Sequence, residues 1–170
     1  MKLLVTYYSR TGNTRKVAEA IYAALPGEKS IAPIDQISSV QDFTLVFLGF
    51  PIQQFGVPRP VQSFIKNYLS GMPVALFVTH AIITESTDLI QRTMLEKELE
   101  KCRAACIQTD FRGMFHCQGE LSEQMAREMI NTGIPMLAGF AQMRSLTTGH
   151  PDQQELMKAA SFAREICQTI

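Results

Sequence analysis

Residues 3–25 read LLVTYY-SRTGNT-RKVAEAIYAAL. The first six are apolar, β-branched or aromatic, which is typical of a buried strand. The last eleven place Val17, Ile21 and Leu25 four residues apart, so they predict a helix with one apolar stripe against a sheet. The six residues between them are mostly small or hydroxylated and include a single glycine. The stretch therefore predicts a strand, a polar loop and a helix in immediate succession.

The polar loop predicts a phosphate site. A strand that feeds a helix through such a loop aims backbone N–H groups and hydroxyls at one point before the helix N-terminus, where the helix dipole is positive. The candidate ligands are the six loop residues Ser9, Arg10, Thr11, Gly12, Asn13 and Thr14. Arg10 adds charge to the site if its side chain does not point into solvent.

The residues of this loop exclude three kinds of phosphate chemistry. A nucleoside triphosphatase P-loop needs Gly-x4-Gly-Lys-Ser/Thr, and here Asn13 follows a lone glycine. A dinucleotide-binding turn needs three glycines in the pattern Gly-x-Gly-x-x-Gly, which is missing. A cysteine phosphatase needs a nucleophilic thiol, and the loop has none. We therefore expect a loop that binds phosphate and does not react with it.

Length and charge narrow the class of protein. The chain has 170 residues, which predicts one domain, 1–170. Its formal net charge is zero and its pI about 6.8, so no footprint for nucleic acid or an anionic membrane surface is expected. No apolar run approaches the roughly 18 residues of a membrane span. We expect neither nucleic acid nor membrane as a partner.

The cysteines indicate a reduced protein without a metal site. Their spacing gives no CxxC pair and no zinc pattern; they are Cys102, Cys106, Cys117 and Cys167. We interpret them as buried thiols. Met1 and Lys2 run directly into the first strand, so no signal peptide is expected. These features predict a cytoplasmic protein.

The rest of the chain alternates between strand and helix patterns. Strands are predicted at 29–34, 43–50, 74–79 and 107–115, and helices at 61–68, 88–106, 121–130 and 155–170. Pro33 places the second strand at a sheet edge, and Ser86 or Thr87 is expected to cap the helix that follows. Residues 131–149 indicate only short helical turns, with a break at Pro135.

This order predicts an α/β fold. It is a doubly wound five-stranded parallel sheet of order 2-1-3-4-5 with helices on both faces, and its ligand binds beyond the carboxyl ends of the strands. Response regulators share this order but need acidic residues after the first strand and an Asp at the end of the third. Tyr7-Tyr8 and Gly49-Phe50 stand there instead. The response-regulator interpretation is therefore excluded.

The pattern Tyr7-x-Ser9-x-x-Gly12-x-Thr14-x-x-x-Ala18-x-x-Ile21 resembles the signature of the flavodoxin family. In that family the loop holds the phosphate of flavin mononucleotide (FMN). The resemblance implies a flavodoxin-like three-layer sandwich with FMN as its cofactor. Thr6 departs from the family's usual aliphatic or aromatic residue, at a position on the strand and not at the phosphate.

The resemblance also implies that three further loops flank the flavin. The first comprises Pro51, Ile52, Gln53, Gln54, Phe55 and Gly56; the second, Thr79, His80 and Ala81; the third, Cys117, Gln118 and Gly119. Phe55 is the expected stacking residue, Gly56 a point of backbone freedom, and the Gln118 amide a contact of the pyrimidine edge. His80 either touches the ring edge or caps a loop. A redox role of Cys117 and an acid–base pair of Glu120 with His116 stay open.

Two functions follow from the resemblance, and no catalytic residue is assigned for either. The first is electron transfer, in which a flavin or iron–sulfur reductase supplies electrons that pass to an acceptor enzyme. The alternative is an NAD(P)H-dependent reductase of quinones or similar small acceptors. The neutral surface argues against the usual acidic carrier, and the lack of a nicotinamide site argues against the enzyme. A flavin-free binding module of the same fold is a third possibility, disfavoured by the intact 9–14 loop.

Overall fold

The computed structural model describes residues 1–53, 55–83 and 88–170 of the chain. The strands are β1 (Lys2–Tyr7), β2 (Glu28–Pro33), β3 (Leu45–Pro51), β4 (Pro73–His80) and β5 (Asp110–Gln118). The α-helices are α1 (Asn13–Ala24), α2 (Arg59–Tyr68), α3 (Leu89–Ala105), α4 (Glu123–Asn131), α5 (Pro135–Gln142) and α6 (Gln153–Gln168). Short 3-10 turns lie at Ile34–Gln36 and Met143–Thr147.

The strands form one parallel sheet in the order β2-β1-β3-β4-β5. The predicted fold class is therefore confirmed. Pro33 ends the edge strand β2, where a missing N–H breaks no internal ladder. Strands β1 and β3 are central, and Tyr7 pairs with Gly49 at their carboxyl ends.

Both faces of the sheet are covered, which explains the nearly continuous apolar runs in its central strands. Alternate residues along β1 and β3 enter opposite cores. Leu4 and Leu48 pack in one core with residues of α2 and α3. Leu3 and Phe47 pack in the other core with residues of α1 and α6. The helical layers thereby set where α1 starts relative to the sheet.

The last strand lies three residues later than predicted. Helix α3 ends at Ala105, and Thr109 closes a turn by donating both its N–H and its hydroxyl to the Cys106 carbonyl, at 2.9 and 2.8 Å. This turn leaves Ile107 86% exposed, so its apolar side chain gave a false strand signal. Residues 116–118, predicted as loop, consequently belong to β5.

The vague region 131–149 contains α5 and a 3-10 turn, and Pro135 begins α5 instead of breaking a helix. Helices α4 and α5 pack together through Leu121, Ala126, Ala141 and Phe140 beside the carboxyl ends of the strands.

Helix α3 is capped by the Asp88 side chain, and the predicted caps Ser86 and Thr87 lie outside the described residues. Among the described helices, none combines the length and apolarity needed to cross a membrane.

We expect Gly49→Ala to destabilise the protein by about 3 kcal/mol or more. A Cβ at Gly49 would lie 1.9 Å from Cε2 of Phe77, whose ring is fully buried. Overpacking a core typically costs about 1–3 kcal/mol and occasionally more. Urea unfolding measures the loss. The matched control is Gly139→Ala in α5, where the new Cβ meets nothing within 4 Å and helix propensity favours alanine by up to about 1 kcal/mol. Equal stability of the two variants would contradict this packing.

Candidate functional site

A cavity opens where β1, β3 and β4 end and α1 begins. Twelve of the predicted site residues line it: Ser9, Arg10, Thr11, Asn13, Thr14, Pro51, Ile52, Gln53, Thr79, His80, Ala81 and Gly119. Five further residues complete the lining: Glu120, considered above only as a partner of His116, and four that the sequence analysis missed, Ser122, Gln124, Met125 and Glu128. The site therefore lies at the carboxyl edge of the sheet, where a doubly wound fold places its ligand.

The 9–14 loop presents backbone donors to this cavity. Gly12 precedes α1 with φ +94°, a left-handed conformation that glycine adopts without strain. Its carbonyl accepts the first helical hydrogen bond, from Lys16 N–H at 3.0 Å. Within the described residues, the N–H groups of Thr11, Asn13 and Thr14 have no protein acceptor. Unpaired donors at a positive helix end are suited to an anion.

Two hydroxyls of the loop hold it in place. Thr14 is buried at the start of α1, and its Oγ1 lies 2.8 Å from Oγ1 of Thr79 at the end of β4. Ser9 Oγ accepts from the N–H of Arg15 at 3.3 Å. Because a hydroxyl can donate once and accept twice, both oxygens keep hydrogen-bonding capacity for a ligand. Arg10 and Thr11 are exposed at the rim.

Asn13 connects the loop to the β5–α4 connection. Its side-chain Nδ2 donates to the Glu120 carbonyl at 2.8 Å, so one amide hydrogen is bonded within the protein. Gly119 permits this approach, because a Cβ there would lie 2.9 Å from Asn13 Nδ2. Asn13 and Gly119 therefore shape the site through their mutual packing.

The first predicted flavin loop is only partly in the cavity. Pro51, Ile52 and Gln53 line it, and Gln54 lies outside the described residues. Phe55 is not in the lining, and its side chain is 46% exposed. Gly56 lines a second cavity, beside α2 and α3. The reason is a backbone pairing in which Gln53 and Gly56 donate to each other's carbonyls at 3.0 Å, which turns the chain away from the first cavity.

His80 lines the cavity with both ring nitrogens already bonded. The Ile82 carbonyl only accepts, so Nδ1 of His80, 3.0 Å away, carries the proton. The bare Nε2 then accepts from Nδ1–H of His116 at 3.1 Å. Burial, and next the neighbouring His116, lower the pKa of His80 to about 3, against the opposing effect of the Ile82 carbonyl. Neutral His80 is thus a loop-holding residue that brings no charge to the site.

Cys117 and Gln118 lie in β5 and do not line the cavity. Cys117 is buried in the core shared with α1 and α6, and burial raises the pKa of its thiol. A thiol held protonated in a core is a poor redox group. The Gln118 Nε2 donates to the Leu146 carbonyl at 2.9 Å, and its N–H donates to a Glu155 carboxylate oxygen at 2.9 Å. The later start of β5 explains why both residues stand in the sheet.

The acid–base pair of Glu120 with His116 does not form. His116 hydrogen-bonds to His80, and burial is the main cause that lowers the pKa of His116. Glu120 lines the cavity, and its carboxylate lies 3.3 Å from Arg144 Nη2 and accepts from Gly149 N–H at 3.3 Å. The side chains of His116 and Glu120 therefore belong to separate hydrogen-bond networks.

Helix α4 supplies the remaining wall of the cavity. Ser122 caps the helix by accepting from the Met125 N–H at 3.2 Å, and Gln124, Met125 and Glu128 follow on its first turns. Ser122 before an amphipathic run is a helix-start signal in the sequence. The direction in which that helix crosses the sheet edge is set by its packing on α5, which no local pattern encodes.

We expect His80→Asn to lose less stability on acidification than the parent protein. Unfolded His80 takes up a proton near pH 6.5, whereas folded His80 stays neutral down to about pH 3. Because the folded pKa is the lower one, this contribution is complete above pH 6.5 and declines toward pH 3, by up to about 1.4 kcal/mol per pH unit. Urea unfolding of both proteins across this range measures the difference. Parallel pH profiles would contradict a neutral buried His80.

Comparison with known proteins supports the fold and identifies the family. Flavodoxin-like domain-containing protein BilS from Clostridioides difficile (strain CD3) is 26% identical over 178 residues, which cover 98% of this chain and 96% of that protein. Oxidised Flavodoxin 2 from Bacillus cereus superposes with a TM-score of 0.60 at 14% identity, over 100% of both chains. A flavoprotein from Lactobacillus acidophilus NCFM, solved in complex with FMN, gives a TM-score of 0.51 at 17% identity, over 68% of this chain and 92% of that one. The family model described as a flavodoxin domain matches residues 4–164, and the chain therefore belongs to the flavodoxin domain family.

Proposed function

We propose that this protein binds FMN and transfers electrons between a reductase and an acceptor enzyme. The observation that carries the proposal is that the N–H groups of Thr11, Asn13 and Thr14, at the start of α1 beside a cavity at the sheet edge, have no acceptor among the described residues. Family membership and the FMN complex of the Lactobacillus acidophilus flavoprotein support the same ligand. The four unpaired cysteines fit a reducing compartment such as the cytoplasm.

The described residues suit the two ends of FMN. The phosphate, an anion with several acceptor oxygens, would be held by the 9–14 backbone donors and by the hydroxyls of Ser9, Thr11 and Thr14. Pro51, Ile52 and Gln53 on one side and His80 and Ala81 on the other offer apolar and polar surface to the flavin ring. The bound flavin supplies the redox chemistry, and these residues orient it and control access.

Removing two loop hydroxyls should weaken FMN binding. We expect the double variant Ser9→Ala, Thr14→Val to raise the Kd for FMN at least about 100-fold, because hydrogen bonds to a charged group contribute about 1.5–3 kcal/mol each. Fluorescence titration of the apoprotein measures the Kd. Riboflavin, which lacks the phosphate, is the matched ligand and should bind parent and double variant alike.

The control variant is Thr44→Val. Thr44 carries an exposed hydroxyl bonded to the Lys2 carbonyl, at the opposite end of the sheet. It should leave both titrations unchanged. If the double variant kept the parent Kd for FMN, the 9–14 loop would not be the phosphate site.

One observation favours the alternative, an NAD(P)H-dependent reductase of quinones or similar acceptors. Phe55, the expected stacking residue, lies outside the cavity, whose walls beyond the 9–14 loop include Pro51, Ile52, Gln53, His80 and Ala81. A flavin ring between such residues would leave room for a flat second molecule. Electron transfer stays the first proposal because the match to the flavodoxin domain covers residues 4–164.

An anaerobic redox experiment separates the two functions. The carrier predicts two separated one-electron steps in a redox titration and slow reduction by NADH or NADPH. The reductase predicts rapid reduction by one of these nucleotides in stopped-flow mixing, followed by rapid reoxidation by a quinone. For the carrier we expect direct nucleotide reduction at least about 100-fold slower than typical enzyme turnover of about 10 s⁻¹. Turnover at the enzymatic rate would overturn the carrier proposal.

A further inference from the structure

Phe55 lies between the two cavities and has a strained backbone. Gln53 lines the first cavity and Gly56 the second, and their paired backbone hydrogen bonds of 3.0 Å are here named the 53–56 bridge. Phe55 within it has φ +59°, a left-handed conformation that costs a residue with a Cβ about 1–2 kcal/mol. Its ring is half-exposed, so core packing does not account for the strain. Such a conformation persists where other contacts hold it.

A lysine on α3 supplies such a contact. The Nζ of Lys101 donates to the Phe55 carbonyl at 2.8 Å, across 46 residues of sequence. The same Nζ lies 2.7 Å from Oε1 of Glu98, one turn earlier on the helix. The ammonium group therefore joins the helix to the strained peptide.

Glu98 explains why this lysine stays in place. Its side chain is buried, with 4% of the residue exposed, although it carries a carboxylate. Within the described residues, Oε2 has no hydrogen-bond partner and Lys101 is the ion-pair partner of Oε1. A buried carboxylate that lost its cation would cost several kcal/mol. The pair therefore resists separation, although the lysine itself is half-exposed.

We propose that Lys101, held by Glu98, is a positioning residue for the flavin site. By fixing the Phe55 carbonyl it holds the 53–56 bridge, and the bridge holds Gln53 against the first cavity. The proposal rests on the proposed function in one respect, that Gln53 borders a flavin. It concerns the ring side of the site and leaves the phosphate loop, 9–14, unaffected.

The test compares Lys101→Met with a matched control, Lys97→Met, which removes an exposed ammonium one turn earlier on the same helix. Hydrogen exchange of the apoprotein reports on the bridge, since the N–H groups of Gln53 and Gly56 both donate within it. We expect exchange of these two amides to accelerate at least tenfold in Lys101→Met and to stay unchanged in Lys97→Met. The double variant Glu98→Gln, Lys101→Met removes the ion pair without leaving a bare carboxylate and should show the same acceleration if the single variant fails to fold.

The flavin readout is the ratio of the Kd values for oxidised and reduced FMN. We expect this ratio to change at least threefold in the double variant, while the Kd for oxidised FMN stays within threefold of the parent value. Unchanged amide exchange in the double variant would overturn the proposed anchor. Accelerated exchange with an unchanged ratio would overturn its positioning role. Failure of the parent to bind FMN would instead contradict the proposed function, and the exchange measurement would still decide whether Lys101 holds the bridge.

Discussion

The parallel pairing of β1 between β2 and β3 is the constraint on which the site depends. Both faces of β1 are buried under helices. The chain therefore leaves this strand at its carboxyl end, beside Gly49 of β3. The 9–14 loop must then turn at Gly12 to start α1 over the sheet. In the part of the chain that the structure describes, this geometry leaves N–H groups without an acceptor at a positive helix end, which is favourable for an anion. The proposed phosphate site is thus a consequence of how the strand is packed.

Around this fixed point, the polar groups of the site are held by bonds within the protein. Thr14 is hydrogen-bonded to Thr79, and Asn13 to the Glu120 carbonyl. His80 is hydrogen-bonded to His116 and to the Ile82 carbonyl. Each bond joins segments far apart in sequence or fixes a loop next to a strand end. A site built in this way needs little rearrangement when a ligand binds, which lowers the entropic cost of binding. The Glu98–Lys101 pair extends the same principle to the chain beyond Gln53.

The fold and the polar loop at 9–14 could be predicted from local patterns. Buried strands have near-continuous apolar runs, helices facing a sheet repeat an apolar residue every three or four positions, and a Ser/Thr-rich loop between them marks a helix start. The strand order 2-1-3-4-5 was predicted because it suits five parallel strands with a ligand site at the ends of the first, third and fourth, and the structure confirms it. The last strand was predicted to start too early, because the apolar Ile107 belongs to a turn closed by Thr109 and not to the strand. That error placed Cys117 and Gln118 in a loop.

What only the tertiary structure decided is which side chains reach the cavity. The sequence by itself determined the strands, the helices and a donor-rich loop at the start of α1, because each leaves its pattern in residues close together in the chain. The bond that Lys101 donates to the Phe55 carbonyl, the wall contributed by α4 and the bond from Asn13 to the Glu120 carbonyl depend on contacts between residues 23 to 107 positions apart. Such contacts leave no periodic trace in the sequence, because they are set by the relative positions of packed elements.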